Sequence, residues 1–123
     1  MQTAVRVPAT EGAPADLETM RATAARALAL PAPAPADEMD ILLGQLRGHL
    51  ALMIDEVEAL VHVQPQGEEL RACLAMAGAR EGRRKLDLPE QRSPAGQFAL
   101  SRRLARVLAA LCNHHDQLTG TQA

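Results

Sequence analysis

Three polar residues in the middle of the chain have side chains that could move a proton or hold an anion. His49 has an imidazole side chain, which can act as a general base. Glu56 can raise the basicity of a histidine or accept a proton itself, but seven residues of helix place it too far along the axis to touch His49. Any coupling between the two would therefore pass through a substrate or a water molecule. Arg47 can hold a carboxylate by two parallel hydrogen bonds. These residue types predict proton transfer and positioning rather than covalent or cofactor chemistry.

Each candidate residue also has a structural interpretation. His49 falls at the border of an apolar stripe, where a histidine is more often an interface residue than a base. The stem of Arg47 can cover apolar surface, and Arg80 belongs to a basic run at the end of a predicted helix, where cations suit the helix dipole. His114 and His115 stand near the end of the last predicted helix, and one of them faces either the core or a pocket. The sequence leaves these alternatives open.

One long helix, predicted over residues 37–63, must position most of these side chains. Its apolar residues recur at alternating steps of four and three along one edge: Met39, Leu43, Leu46, Leu50, Met53, Val57 and Leu60. Gly44 and Gly48 lie on the opposite face, followed by Ala51 and Asp55, and a glycine inside a helix costs about 1 kcal/mol relative to alanine. Two explanations account for the bare face. Either a second helix packs tightly against it, or it forms a groove that admits a peptide or a partner subunit.

The remaining segments complete an all-α prediction. Residues 1–13 have no period and are expected to be disordered, whereas residues 14–120 are predicted to form a single helical domain. An extended Pro/Ala linker at 31–36 separates the first helix from the long one, which Asp37 is expected to cap. The predicted fold is a compact four-helix domain with one long central helix.

The third and fourth helices follow the long one. The third begins at Glu68 and weakens near Gly82, and the fourth spans residues 95–118 and ends at Gly120. The apolar face predicted for the third helix is Leu70, Cys73, Leu74 and Ala77. The stripe predicted for the fourth is Leu100, Leu104, Val107, Leu108, Leu111 and Leu118.

The amino-acid composition indicates which classes of binding partner are expected. The chain has one Phe and no Trp or Tyr among 123 residues. Its core must therefore be packed mainly by alanine, leucine and valine, and each of these side chains makes only a small contact. A homodimer, which would add buried area, is therefore expected. The net charge of -2 disfavours nucleic acid as a partner. No apolar stretch approaches 18 residues and no signal peptide is visible, so neither membrane insertion nor export is expected.

Cysteine usage and motifs exclude several site classes. Cys73 and Cys112 lack metal-type spacing and are interpreted as small buried hydrophobes of a reducing cytoplasm. No metal-ligand motif, phosphate-binding glycine loop or nucleophile motif is present, so neither a metal nor a cofactor is expected.

Five short stretches carry a family resemblance. They are residues 47–50 (Arg-Gly-His-Leu), 56–58 (Glu-Val-Glu), 79–80 (Ala-Arg), 104–106 (Leu-Ala-Arg) and 111–114 (Leu-Cys-Asn-His). Across residues 17–118 the chain resembles small actinobacterial proteins of natural product biosynthesis. Within that group it is similar to the small proteins of cinnamycin- and duramycin-type lanthipeptide clusters, which close a lysinoalanine bridge by adding a lysine amine to a dehydroalanine.

The resemblance implies a cofactor-free enzyme that acts on a modified peptide. A lysine amine, with a pKa near 10.4, must lose a proton before it can add to the double bond, and the enolate that forms needs hydrogen-bond donors. A hydroxylated aspartate of the peptide is implied to assist. His49 or Glu56 would be the base. The residues that would hold the peptide are Arg47, Gly44, Gly48, Arg80 and His114.

A second function class is the alternative. The chain would then be a non-catalytic partner-binding or regulatory protein of a natural product gene cluster, with the long helix and the arginine-bearing last helix holding a partner in a helix groove.

Overall fold

Four α-helices and no strands make up residues 16–120, the part of the chain that the computed structural model describes. The helices are α1 Leu17–Ala29, α2 Ala36–His62, α3 Glu69–Leu86 and α4 Pro94–Thr119. The all-α prediction, with one long central helix, is confirmed. The predicted disordered start at 1–13 lies outside the described residues.

The helix ends follow ordinary capping chemistry. Asp16 caps α1 by accepting a hydrogen bond from the backbone N–H of Thr19 at 3.1 Å. Ser93 caps α4 in the same way, with its hydroxyl 3.0 Å from the backbone nitrogen of Gly96. Gly120 ends α4 in the left-handed region, at a φ of 71° that glycine adopts without strain.

The start of α2 differs from the prediction. The helix begins at Ala36, and Pro35 rather than Asp37 is the residue that precedes it. Asp37 therefore lies inside the first turn, where its carboxylate accepts a hydrogen bond from the backbone N–H of Glu38 at 3.0 Å. A carboxylate in the first turn still stabilises the positive end of the helix dipole.

The core forms around α2, which packs against α3 and α4 and more lightly against α1. The predicted apolar seam is confirmed, since its first six members are buried and Leu60 is half-buried. From α4 the buried apolar residues are Leu100, Leu104, Ala105, Leu108, Leu111, Cys112 and Leu118. Val107, which was also expected in this stripe, is half-buried.

Helix α3 turns the opposite face inward from the one predicted. Leu70 and Leu74 are 72% and 51% exposed, and the buried residues are Ala75, Ala79 and Gly82. The cause is close packing: a Cβ atom at Gly82 would lie 2.9 Å from Cδ1 of the Ile54 side chain. Larger side chains have no room on this face, so the leucines lie outside.

Two further predictions about this region are corrected. Helix α3 does not weaken at Gly82 but continues to Leu86. Cys112 is buried as expected, whereas Cys73 is exposed, because it shares the outward side of α3 with the leucines.

Candidate functional site

The surface of α2 that points away from the core has two glycines at its centre, and no other part of the described chain covers them. Gly44 and Gly48 are exposed, and a Cβ atom at either position would meet nothing within 4 Å. Tight packing by a second helix of this chain, one of the two explanations above, is therefore wrong. The flanking large apolar side chains are also exposed. We call the surface made by Ile41, Gly44, Gly48, Leu52 and Ala59, together with Val63 directly after the helix, the outer face of α2.

The open space at Gly48 predicts a stabilising substitution. Gly48→Ala should raise the free energy of unfolding by about 1 kcal/mol, because alanine is the better helix former and its methyl group contacts nothing. Urea denaturation measures the change. Gly78→Ala is the matched control, because its methyl group would lie 3.0 Å from Cδ2 of the His114 side chain and should cancel part or all of the gain. Equal stabilisation by both changes would contradict the difference in space.

A cleft of about 360 Å³ opens beside this face. Gly44 and Arg47 line it together with Asp40 and Glu90. Gln97, reaching across from α4, donates a hydrogen bond to Asp40 at 3.0 Å. Two of the five candidate binding residues therefore share one cleft. The same cleft carries two carboxylates, which oppose the binding of an anionic group by Arg47.

His49 and Glu56 have different neighbours. His49 is half-buried near the start of α1, where its charge contributes a little to the lowered pKa of Asp16, after the larger effect of hydrogen bonds from Thr19. Glu56 is paired across helices with His115, whose Nε2 lies 3.2 Å from Oε1 of the carboxylate. The two predicted catalytic residues are thus about two turns apart on α2.

The Glu56–His115 pair has the geometry of a link between α2 and α4. Nδ1 of His115 is buried and has no hydrogen-bond partner among residues 16–120. A histidine that serves as a base must present its free nitrogen to a substrate. Here Nε2 faces Glu56 and Nδ1 is enclosed, so neither ring nitrogen is open to a bound molecule.

Arg80 lies on another part of the surface. It is exposed on α3, and its charge contributes to the lowered pKa of Glu58, after the larger effect of the Arg83 hydrogen bonds. Arg83 holds that carboxylate with two contacts, at 2.5 and 3.1 Å. Glu58 lies 11 residues beyond Arg47, about 16 Å along the axis of α2. Arg47 and Arg80 are therefore at separate positions on the surface.

His114 packs between α3 and α4. Its ring lies against Gly78, where a Cβ atom would be 3.0 Å from Cδ2 and 3.1 Å from Nε2. The side chain is half-buried, and this burial lowers its pKa. Of the two interpretations of His114, core packing is the one that these contacts favour.

The lowered pKa of His114 predicts a pH dependence of stability. As the pH falls, His114 of the unfolded chain binds a proton near pH 6.5, whereas His114 of the folded protein binds it only at a lower pH. The contribution of His114 to the free energy of unfolding is therefore complete above about pH 7 and is lost as the pH falls below that value. His114→Gln should flatten the decline in the free energy of unfolding between about pH 7 and 5. Urea denaturation at several pH values measures this decline. Equal slopes in the parent protein and in His114→Gln would contradict the prediction.

A family model covers most of the chain, residues 18–120. The chain belongs to DUF6415, a family of unknown function. No curated protein and no solved structure matches the sequence. The DUF6415 description names no activity, so a function for this member must be argued from its own residues.

Membrane-spanning helices and metal sites are both absent from the part of the chain that the structure describes. No helix in residues 16–120 is long and apolar enough to cross a membrane, and no group of three or more His, Cys, Asp or Glu within that range could hold a metal ion. Gln97 was not among the predicted site residues, and His115 was predicted only jointly with His114, as one of a pair facing either the core or a pocket. Both make long-range contacts to α2, and no local pattern in the sequence marks them.

Proposed function

We propose that this DUF6415 protein is a non-catalytic helical module that binds a basic, amphipathic helix of a partner protein along the outer face of α2. The observation that carries the proposal is the bare stretch at Gly44 and Gly48, which this chain leaves uncovered. Binding of a helix on an apolar helical surface is a common mode of peptide recognition.

Shape favours a helix as the occupant. At Gly44 and Gly48 the floor of the surface is backbone, so a partner helix can approach at the short end of the usual interaxial range, about 8 Å. Ile41 and Leu52 stand beside the glycines with much of their side chains exposed. Covering these side chains would contribute about 25 cal/mol for each Å² of apolar area removed from water.

Charge favours a basic occupant. Helix α2 carries six acidic residues against a single arginine and no lysine. The carboxylates of Asp37 and Glu38 are exposed near one end of the outer face. Asp55 is exposed toward the other end, where it also lies 3.5 Å from Nη2 of Arg83. Lysine or arginine beside the apolar stripe of a partner helix would be attracted, and an acidic helix would be repelled.

The lysinoalanine-forming interpretation stays a prediction. Neither His49 nor Arg80 lines the cleft that Arg47 borders, and Glu56 is paired with His115. A direct assay would incubate the protein with a precursor peptide that contains dehydroalanine and hydroxyaspartate. Because closure of the bridge leaves the mass unchanged, loss of dehydroalanine is detected by thiol derivatisation or NMR. Bridge formation would overturn the non-catalytic proposal.

Peptide binding tests the proposed function. Two labelled helical peptides share the same leucine stripe at i, i+3, i+4 and i+7, and their remaining positions carry lysine in one and glutamate in the other. By fluorescence anisotropy the basic peptide should bind at least about tenfold tighter, a difference of roughly 1.4 kcal/mol. Equal affinity for the two peptides, or no binding of either, would overturn the proposal.

A matched pair of variants locates the binding surface. Gly48→Leu fills the bare stretch and should weaken binding of the basic peptide at least about tenfold. Ala110→Leu adds a similar bulk at an exposed position of α4 and should leave binding unchanged. An unchanged affinity in Gly48→Leu would place any binding elsewhere and contradict the assignment.

A further inference from the structure

Helix α3 exposes its largest apolar side chains. Its buried side consists of Ala75, Ala79 and Gly82, and its outward side carries Leu70, Cys73, Leu74 and Ala77, which we call the outer face of α3. Leucine is usually buried in a folded protein. The close approach of α3 to Ile54 and Leu111 prevents the helix from rotating its leucines inward. The outer face of α3 is therefore an apolar surface that this chain cannot cover by repacking.

The order of residues on this face is self-complementary. If two copies of α3 lie antiparallel with the two-fold axis between Cys73 and Leu74, the large Leu70 lies opposite the small Ala77 of the partner subunit. Cys73 then lies opposite the Leu74 of the partner subunit. Each leucine meets a smaller side chain, as interdigitated helix packing requires.

Charge selects the same orientation. The first turn of α3 has Glu69, and the second half has Arg80. The basic residues after Arg80 already pair within the chain: Arg83 with Glu58, and Arg84 and Lys85 with Glu81. Arg80 is exposed and forms no ion pair with any residue between 16 and 120. In the antiparallel arrangement Glu69 of one copy lies about two residues, roughly 3 Å along the axis, from the Arg80 of the partner subunit. A parallel arrangement would bring like charges together.

We infer that a second copy of this chain binds on the outer face of α3, with the two α3 helices antiparallel. The contact is an isologous two-fold interface. Two helices of 18 residues are about 27 Å long, so their contact area is smaller than a standard interface of about 800 Å² per partner. The expected dissociation constant is therefore micromolar. The inference does not rest on the proposed function, because it uses a different helix face.

Sedimentation equilibrium from about 1 to 200 µM tests the inference, since this range spans the expected dissociation constant. The parent chain should pass from monomer to dimer. Leu74→Asp should weaken dimerisation at least about tenfold, while circular dichroism shows unchanged helix content because the position is exposed. A parent chain that stays monomeric throughout, or a Leu74→Asp variant that dimerises as well as the parent, would overturn the inference.

A charge exchange tests the antiparallel register. Glu69→Arg should weaken the dimer, and the double variant Glu69→Arg with Arg80→Glu should restore it, because the ion pairs re-form with the signs reversed. Loss of dimerisation that the second change does not restore would contradict the register.

Crosslinking supplies a readout that does not depend on affinity. Cys73 is exposed and Cys112 is buried, so a short bismaleimide crosslinker should join Cys73 of the two copies. The matched control is Cys73→Ser with Ala110→Cys, which moves the thiol to α4 and should give no crosslinked dimer. Equal crosslinking of the two proteins would indicate random collision and overturn the inference.

The two proposals fail independently. Gly48→Leu should leave dimerisation unchanged, and Leu74→Asp should leave binding of the basic peptide unchanged. If either variant abolished both properties, the assignment of two separate surfaces would be wrong.

Discussion

Replacing Leu111 with alanine is expected to lower the free energy of unfolding by about 2–5 kcal/mol. The Leu111 side chain is fully buried in α4, and its terminal methyl groups fill the space left by two glycines of α3. A Cβ atom at Gly78 or Gly82 would lie 3.4 or 3.3 Å from these methyl groups. Alanine would leave a cavity that the small residues of α3 cannot fill. The protein would therefore lose the transfer free energy of the removed atoms and would also bear the cost of the cavity.

Urea denaturation followed by far-UV circular dichroism measures this loss. Because domains of this size have a total stability of about 5–15 kcal/mol, this loss is a large fraction of the total and should lower the urea concentration at the midpoint of unfolding. Leu70→Ala is the matched control, because the same atoms are removed from a 72% exposed position and the change should stay within about 0.5 kcal/mol. Similar losses in the two variants would contradict the assigned packing of α3 on α4.

The second large effect is expected at Gly82. Gly82→Val should destabilise the protein by about 1–3 kcal/mol, because its Cβ would lie 2.9 Å from both Cγ1 and Cδ1 of Ile54. Only Cδ1 is the free end of that side chain, so rotation of Ile54 cannot relieve the whole contact. Valine adds two further methyl groups to the same space, and α3 would have to move away from α2.

A double-mutant cycle tests whether this contact is the cause. Ile54→Ala removes both clashing atoms, so the double variant should be more stable than the sum of the two single losses implies, and the coupling free energy should be favourable. Gly44→Val is the control without a neighbour, and its effect should be small. Additive losses at Gly82 and Ile54, or an equal loss at Gly44, would contradict the packing explanation.

The sequence predicted α2 well because one signal dominates there. Seven apolar residues at helical spacing over about 32 Å of helix leave a single way to face the core. Helix α3 was predicted with the wrong face because hydrophobic periodicity weighs apolar character and not size. The leucines of α3 give the stronger apolar signal, but the available space admits only Ala75, Ala79 and Gly82.

The candidate site was only partly predictable for a similar reason. The unusual glycines of α2 were visible in the sequence, and the possibility of an uncovered groove followed from them. The partner of Glu56 could not be found, because His115 lies 59 residues away and its approach depends on how α4 packs on α2. The joint cleft of Arg47 with Glu90 likewise depends on where the loop before α4 passes.

The small inner face of α3 also bears on the dynamics of the protein. Only three residues of this helix are buried, so separating α3 from the rest exposes less apolar area than separating α2 or α4. Segments with few buried apolar contacts open more readily than the whole molecule unfolds. We therefore expect the backbone amides of α3 to exchange with deuterium faster than those of α2 and α4, through a local opening that leaves the other helices folded.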